Sequence, residues 1–217
     1  MRAACLALAT LLTASAHGLA QTPVVRLDFT NQQANPWRWT LTLHPDGSGH
    51  FTSQRNTAPI SPRQELEAPD INRDIQVTPQ FAQRVFLTAR REHWFNEQCA
   101  SHLKVAFQGW KRLSYKGPEG AGSCTFNYSK IKEVEALSDS LIAVEETILE
   151  GARLEMFLEH DPLGLNKEMQ FLTQAAQNGE AQQICTIRDI LERLAQDDHV
   201  MDLVRKQAQK LLAREGT

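Results

Sequence analysis

The sequence lacks the motifs by which most enzymes are recognised. It contains no Gly-x-Ser-x-Gly nucleophile elbow. The glycine-rich stretch Gly117-Pro-Glu-Gly-Ala-Gly122 precedes a predicted strand, whereas a phosphate loop needs a following helix whose N-terminus faces the anion. The acidic pairs Glu145-Glu146 and Asp197-Asp198 are adjacent, and adjacent helical residues do not face each other as two catalytic carboxylates must. These absences favour a non-enzymatic protein that needs no cofactor.

An excess of charge of one sign is also missing. The formal net charge is −3, and the sequence shows no dense cluster of lysine and arginine. Proteins that bind nucleic acid or anionic membranes are usually basic, with such clusters on one face. The composition therefore argues against both kinds of partner.

Long hydrophobic runs are absent after the first 20 residues, so we expect no integral membrane segment there. At the start, Arg2 precedes an uncharged apolar run that extends to Ala16. Small residues before Ala16 and Ala20 suit two alternative cleavage sites of a secretory signal peptide. We therefore predict a signal peptide at residues 1–20 and a secreted or periplasmic mature protein, whose net charge becomes −4 when Arg2 is removed.

Cysteine is scarce, and Cys5 belongs to the predicted signal peptide. An oxidising compartment favours one disulfide and one thiol among the remaining three, and we predict a bond between Cys99 and Cys124 with Cys185 left as the thiol. The alternative is a zinc site in a small metal-assisted hydrolase, with His93, Cys99, His102 and Cys124 as ligands. One Cys-x-x-His is not a repeated ligand framework, so the disulfide is the preferred interpretation.

Residues 21–130 are predicted to form an α+β domain, an antiparallel sheet covered by one helix. Alternating apolar residues predict strands at 24–29, 37–44 and 50–53, with an Asp-Gly turn between the last two. A polar, proline-containing stretch from 55 to 74 is predicted to be a surface loop. Thr78-Pro79 starts a predicted helix that extends to about Asn96, with His93 in its apolar stripe. A final hairpin places Leu113, Tyr115, Cys124, Phe126 and Tyr128 on one apolar face.

Residues 131–217 are predicted to form an all-α bundle, because alternation stops and helical spacing begins. One long helix is expected from 131 to 158 and a second from 166 to 177, separated by an Asp-Pro break. Apolar residues from Ile184 to Leu194 indicate a third helix. In a fourth, we expect Val200, Leu203, Val204, Ala208 and Leu211 to face inward.

The last two helices, residues 189–212, resemble a HEAT-type helical pair, with a short acidic turn, then Val-Arg and Ala-x-x-Leu-Leu on the second helix. This resemblance implies a surface for protein contact. Arg205, Lys206 and Lys210 lie on the predicted outer face of the fourth helix and are a candidate contact group. The alternative is that they are solvated cations favoured by the dipole near a helix C-terminus.

Tryptophan suggests a further possibility. Trp37, Trp39 and Trp110 could form an exposed platform for a carbohydrate or a peptide, although Trp37 and Trp39 share the predicted face of Leu41 and Leu43, which favours core packing. The sequence as a whole therefore predicts an exported, non-enzymatic protein that acts as a protein-interaction or envelope-associated module, with an unknown protein partner.

Overall fold

The computed structural model describes residues 22–56 and 69–214, and within them six strands form one antiparallel sheet. The strands are β1 (Val24–Thr30), β2 (Arg38–Leu43), β3 (Ser48–Gln54), β4 (Asn72–Gln76), β5 (Trp110–Gly117) and β6 (Gly120–Phe126). Their order across the sheet is β4-β3-β2-β1-β5-β6. The predicted signal peptide and its cleavage sites lie outside the described residues.

Five α-helices accompany the sheet in the described part of the chain. They are α1 (Pro79–Arg91), α2 (Lys132–His160), α3 (Leu165–Asn178), α4 (Arg188–Gln196) and α5 (Asp202–Arg214). Thr78 caps α1 as predicted, since its hydroxyl accepts a hydrogen bond from the Phe81 N–H, and Pro79 is the first helical residue. The predicted α+β class, with helices following the sheet, is confirmed. No described helix is long and apolar enough to cross a membrane.

The long helix α2 takes part in two hydrophobic cores. One face of the sheet, α1 and the first half of α2 enclose the first core, whose α2 residues run from Val134 to Leu149. The second core begins at Leu154 on the same helix and includes side chains from α3, α4 and α5. Further contacts join the bundle to the sheet side, because Arg73 of β4 donates to Asp189 at 3.0 Å and the backbone N–H of Thr78 donates to Gln183 at 2.8 Å. The cores therefore meet within α2, between residues 149 and 154.

The outer edge of β6 is covered by the chain that follows α1. A Cβ added to Gly122 would lie 2.5 Å from the carbonyl oxygen of Trp94, so only glycine permits this close approach. Further along, Ala100 pairs with Ser129 in an antiparallel bridge. Covering a sheet edge in this way protects it from pairing with another chain.

Two predicted boundaries in the first half are wrong. Residues 57–68 of the predicted loop 55–74 lie outside the described residues, and the loop ends earlier than predicted because β4 begins at Asn72 and pairs with β3. The predicted helix 78–96 ends at Arg91, and the chain then turns through His93, Trp94 and Phe95, all with φ between 48° and 63°. His93 is therefore exposed, and its ring is hydrogen-bonded to the Glu97 carboxylate instead of lying in the apolar stripe.

Two predicted inward positions are exposed. Tyr128 follows the end of β6 and so falls outside the alternation that buries Cys124 and Phe126. Leu203 faces solvent because Val200, Val204, Ala208 and Leu211 form a narrower stripe that already fills the contact with the bundle. The predicted third helix also starts differently, as a 3-10 turn at Ile184–Ile187 before α4.

Candidate functional site

Large apolar side chains are exposed on the segment between Cys99 and β5, at the first residue of β5, and two residues after the end of β6. We call this group the apolar patch; it consists of Leu103, Val105, Phe107, Trp110 and Tyr128. Leu103 is 69% exposed, and Phe107 and Trp110 are each 53% exposed. The Phe107 and Trp110 rings contact edge to face, with centroids 5.8 Å apart. Leu103 and Tyr128 also line one groove, and exposed apolar neighbours of this kind are typical of an interaction surface.

One end of this segment is fixed by the disulfide between Cys99 and Cys124. The Cys99 carbonyl accepts hydrogen bonds from the Lys130 N–H at 2.9 Å and the Ser129 hydroxyl at 3.0 Å. The Ser101 N–H donates to the Tyr128 carbonyl at 2.8 Å. The chain that leads into the patch is therefore held against the residues that follow β6.

The other end is fixed by Gly109 and Asn127. Gly109 is buried with φ of +128°, and a Cβ there would lie 2.5 Å from the Phe29 ring, so this position requires glycine. The Asn127 side chain accepts from the Gln108 N–H at 2.7 Å and donates to the Ala106 carbonyl at 3.1 Å. With both ends held, the segment presents its apolar side chains in a defined arrangement.

A groove of about 630 Å³ adjoins the patch, and Leu103 and Tyr128 line one part of it. Its other lining residues include Lys130, Lys132 and Asp139. Burial raises the pKa of Asp139, the nearby Glu135 carboxylate raises it further, and Lys111 opposes both effects. Lys130 and Lys132 line the groove together with the carboxylates of Glu135 and Asp139, so the groove beside the patch carries charges of both signs.

No protein-family model and no curated protein matches this chain. The interpretation of the patch therefore depends on its own geometry and chemistry.

The four proposed metal ligands do not form a metal site in this structure. Cys99 and Cys124 are bonded to each other, and a disulfide has no thiolate to offer a metal. The His93 ring is hydrogen-bonded to Glu97, and His102 lines the groove beside the patch. In the described ranges, no group of three or more His, Cys, Asp and Glu side chains is arranged to hold a metal ion. Cys185 is a thiol, with its sulfur 3.8 Å from the side-chain oxygen of Gln183.

Of the three tryptophans considered as a platform, Trp110 is exposed and the other two are not. Trp39 is buried in the first core and stacks on Phe29 with a centroid distance of 5.2 Å. Trp37 is half-buried beside the start of β2. The tryptophan most available to a ligand is Trp110, which lies on β5 at the edge of the patch.

Acidic neighbours balance most of the predicted basic group on α5. Arg205 donates to Asp198 at 2.8 Å and to Asp202 at 3.3 Å, and the Lys206 ammonium lies 2.7 Å from Asp202. Lys210 is exposed on the same helix. Asp198, which precedes α5, and Asp202, its first residue, thus compensate two of the three cations. The group is therefore less positive than its sequence indicates.

Sequence reasoning missed a buried ion pair beneath the groove. Lys111 is 2% exposed, and its ammonium lies 2.9 Å from Glu135 Oε1 and 5.3 Å from the centre of the Phe126 ring. The second carboxylate oxygen of Glu135 accepts from the Ser129 N–H at 2.6 Å. The alternation of the strand indicates that Lys111 is buried, because it places Lys111 on the same inward face as Leu113 and Tyr115. This pair joins the start of α2 to the strand that leads out of the patch.

Proposed function

We propose that the protein is an exported, non-enzymatic interaction module that binds a partner protein through the apolar patch. The exposure of five large apolar side chains, three of them on a segment anchored at both ends, carries this proposal. Aromatic residues such as Trp110, Phe107 and Tyr128 commonly supply the binding energy at the centre of a protein interface. A disulfide at the base of the segment suits a secreted or periplasmic location, where such bonds persist.

The surroundings of the patch favour a particular kind of partner. Lys130 and Lys132 share the groove with Glu135 and Asp139, so a partner whose apolar pocket receives the patch would meet charges of both signs at the rim of that pocket. A lipid surface would have to desolvate the backbone N–H groups of Lys104 and Ala106, which make no hydrogen bond among the described residues. The chemistry therefore favours a different protein with an apolar pocket and a rim of charged and hydrogen-bonding groups.

Site-specific photocrosslinking in the native compartment tests this proposal. A photoreactive phenylalanine analogue at Phe107 is expected to give a discrete adduct with another protein. The same analogue at Leu163 is the control, because Leu163 is 85% exposed in the turn between α2 and α3, away from the patch in the sequence. An adduct of twice the chain's mass would indicate self-association. Flotation with lipid vesicles but no protein adduct would indicate a membrane ligand, and either result would refute the proposal.

We expect Phe107→Ser and Trp110→Ser each to weaken binding of the crosslinked partner by about 30-fold or more, as for anchor residues at an interface centre. Unfolding midpoints should change little, because both side chains are exposed. Leu163→Ser is the matched control and should leave both affinity and stability nearly unchanged. Equal affinity of all three variants, measured by titration calorimetry with the purified partner, would contradict a role for the patch.

A further inference from the structure

Buried carboxylates lie on α2 beside the point where the two cores meet. Glu150 is 5% exposed, and Glu168, which reaches it from α3, is 9% exposed. Arg153 forms a salt bridge with Glu150 and also lies 3.9 Å from Glu168 and 4.0 Å from Glu146. One guanidinium therefore serves three carboxylates, two of which are buried.

The charges of this cluster do not balance when every group is ionised. Arg153 compensates one negative charge, and a second buried carboxylate then has no cation of its own, which is costly in a site removed from water. The Oε2 atom of Glu150 is buried and has no hydrogen-bond partner among the described residues. A proton on this carboxyl group removes the excess charge without any further protein group.

We propose that a proton held by the Glu150–Glu168 pair couples the sheet core to the helical bundle, so that losing this proton loosens the junction between them. The position of the pair supports this role. Leu149, on one side of Glu150, belongs to the first core, and Leu154 belongs to the second. Gly151, the next residue, packs against Ile187 so closely that an added Cβ would lie 2.3 Å from its side chain. A negative charge at Glu150 would repel the Glu168 carboxylate and so act on the packing of α3 against α2, one residue from this contact.

Charged groups approach the pair from more than one element. Glu145, Glu146 and Arg153 lie on α2 itself, and Glu168 lies on α3. On the sheet side, Arg55 lines a cavity of about 40 Å³ together with Arg153. Arg55 is also 3.9 Å from Asp70, which compensates its charge. Glu145 is itself buried, and burial raises its pKa well above the ordinary value, so any test must separate it from Glu150.

The expected pH dependence follows from the carboxyl environment. Burial raises the pKa of Glu150 to about 8. The Glu168 and Glu146 carboxyls also raise this pKa, whereas the positive charge of Arg153 lowers it. Between its ordinary pKa and this value, the folded protein holds a proton that the unfolded chain has released. The contribution of Glu150 to the free energy of unfolding is therefore fully present below its ordinary pKa. This contribution decreases as the pH rises, until the folded protein also loses the proton. From pH 6 to pH 9, we expect the folding equilibrium constant to decrease by up to about 100-fold.

Equilibrium unfolding followed by two signals at pH 6 and pH 9 tests the proposal. All four tryptophans precede residue 130, so their fluorescence reports the sheet side, while circular dichroism also reports the helices of the bundle. We expect the two transitions to coincide at pH 6 and to separate at pH 9. Glu150→Gln imitates the protonated side chain and is expected to keep the transitions together at both values.

Two further variants serve as controls. Glu145→Gln, on the same helix, is expected to retain the separation at pH 9, which assigns the effect to Glu150. Glu159→Gln removes a half-exposed carboxylate of α2 and should behave as the native chain. Transitions that coincide at both pH values in the native chain would refute the proposal. It would also fail if Glu150→Gln kept the native pH response, or if Glu145→Gln abolished that response.

Discussion

Replacing Lys111 by alanine is expected to destabilise the protein by about 3–5 kcal/mol. The substitution removes the cation from Glu135, whose side chain is only 14% exposed, and leaves its charge within the apolar surroundings of β5 and α2. It also removes an aliphatic stem that packs inside the sheet core. Denaturant unfolding at pH 7, followed by tryptophan fluorescence, measures the loss directly.

A double variant separates the ion pair from simple packing. Lys111→Met with Glu135→Gln keeps the volume and lets residue 135 continue to accept the Ser129 N–H. It is expected to recover most of the stability, because apolar or neutral replacements of a buried pair avoid the uncompensated charge. Lys116→Ala, on the outer face of the same strand, is the control and should change stability by about 0.5 kcal/mol or less. A double variant less stable than Lys111→Ala would contradict this account.

Removal of the Cys99–Cys124 disulfide is expected to lower stability by about 3 kcal/mol. The bond spans a sequence separation of 25 residues, and both cysteines are buried, so its loss increases the freedom of the unfolded chain and disturbs the base of the apolar patch. The variant Cys99→Ser with Cys124→Ser avoids unwanted thiols, and urea unfolding gives the change.

Limited proteolysis of the same variant should show faster cleavage between residues 101 and 108, because the disulfide holds one end of that segment. Cys185→Ser is the matched control, since Cys185 is bonded to neither Cys99 nor Cys124, and we expect neither effect from it. Peptide mapping that links Cys185 to Cys99 or Cys124 would contradict the pairing. A loss below about 1 kcal/mol would show that the bond contributes little to the folded state.

The sequence predicts strands and helices correctly where an apolar pattern persists over many residues. The β2–β3 hairpin, the disulfide-bearing hairpin and α2 follow from alternation, turn residues and helical spacing that persist over many positions. β4 could not be found in this way, because only Ile75 of its five residues is buried, and its strand conformation depends on pairing with β3. The end of α1 was missed for a different reason. Three consecutive non-glycine residues with positive φ leave no signature in the sequence, and Trp94 holds its place there by stacking on Tyr115 at 4.4 Å.

The candidate site was less predictable than the fold. Leu103, Val105 and Phe107 have the composition of a buried strand, and only the folded structure shows that they lie outside the core. The buried carboxylates were also concealed, since Glu150 lies on a helix rich in acidic residues, most of which are solvated in an ordinary helix. Its burial results from α3, which contributes Glu168 from a position 18 residues later. Tertiary packing, rather than local pattern, created both features.

The division of α2 between two cores sets an order for folding during synthesis. The fully buried residues of the first core run from Val25 to Leu149, and those of the second run from Leu154 to Leu211, so the two sets do not interleave in the sequence. A chain that emerges with its amino terminus first therefore holds every member of the first core before any member of the second appears. The carboxyl-terminal half of α2 can then extend from an already docked helix, which removes the costly nucleation step and gives the last helices a template on which to assemble.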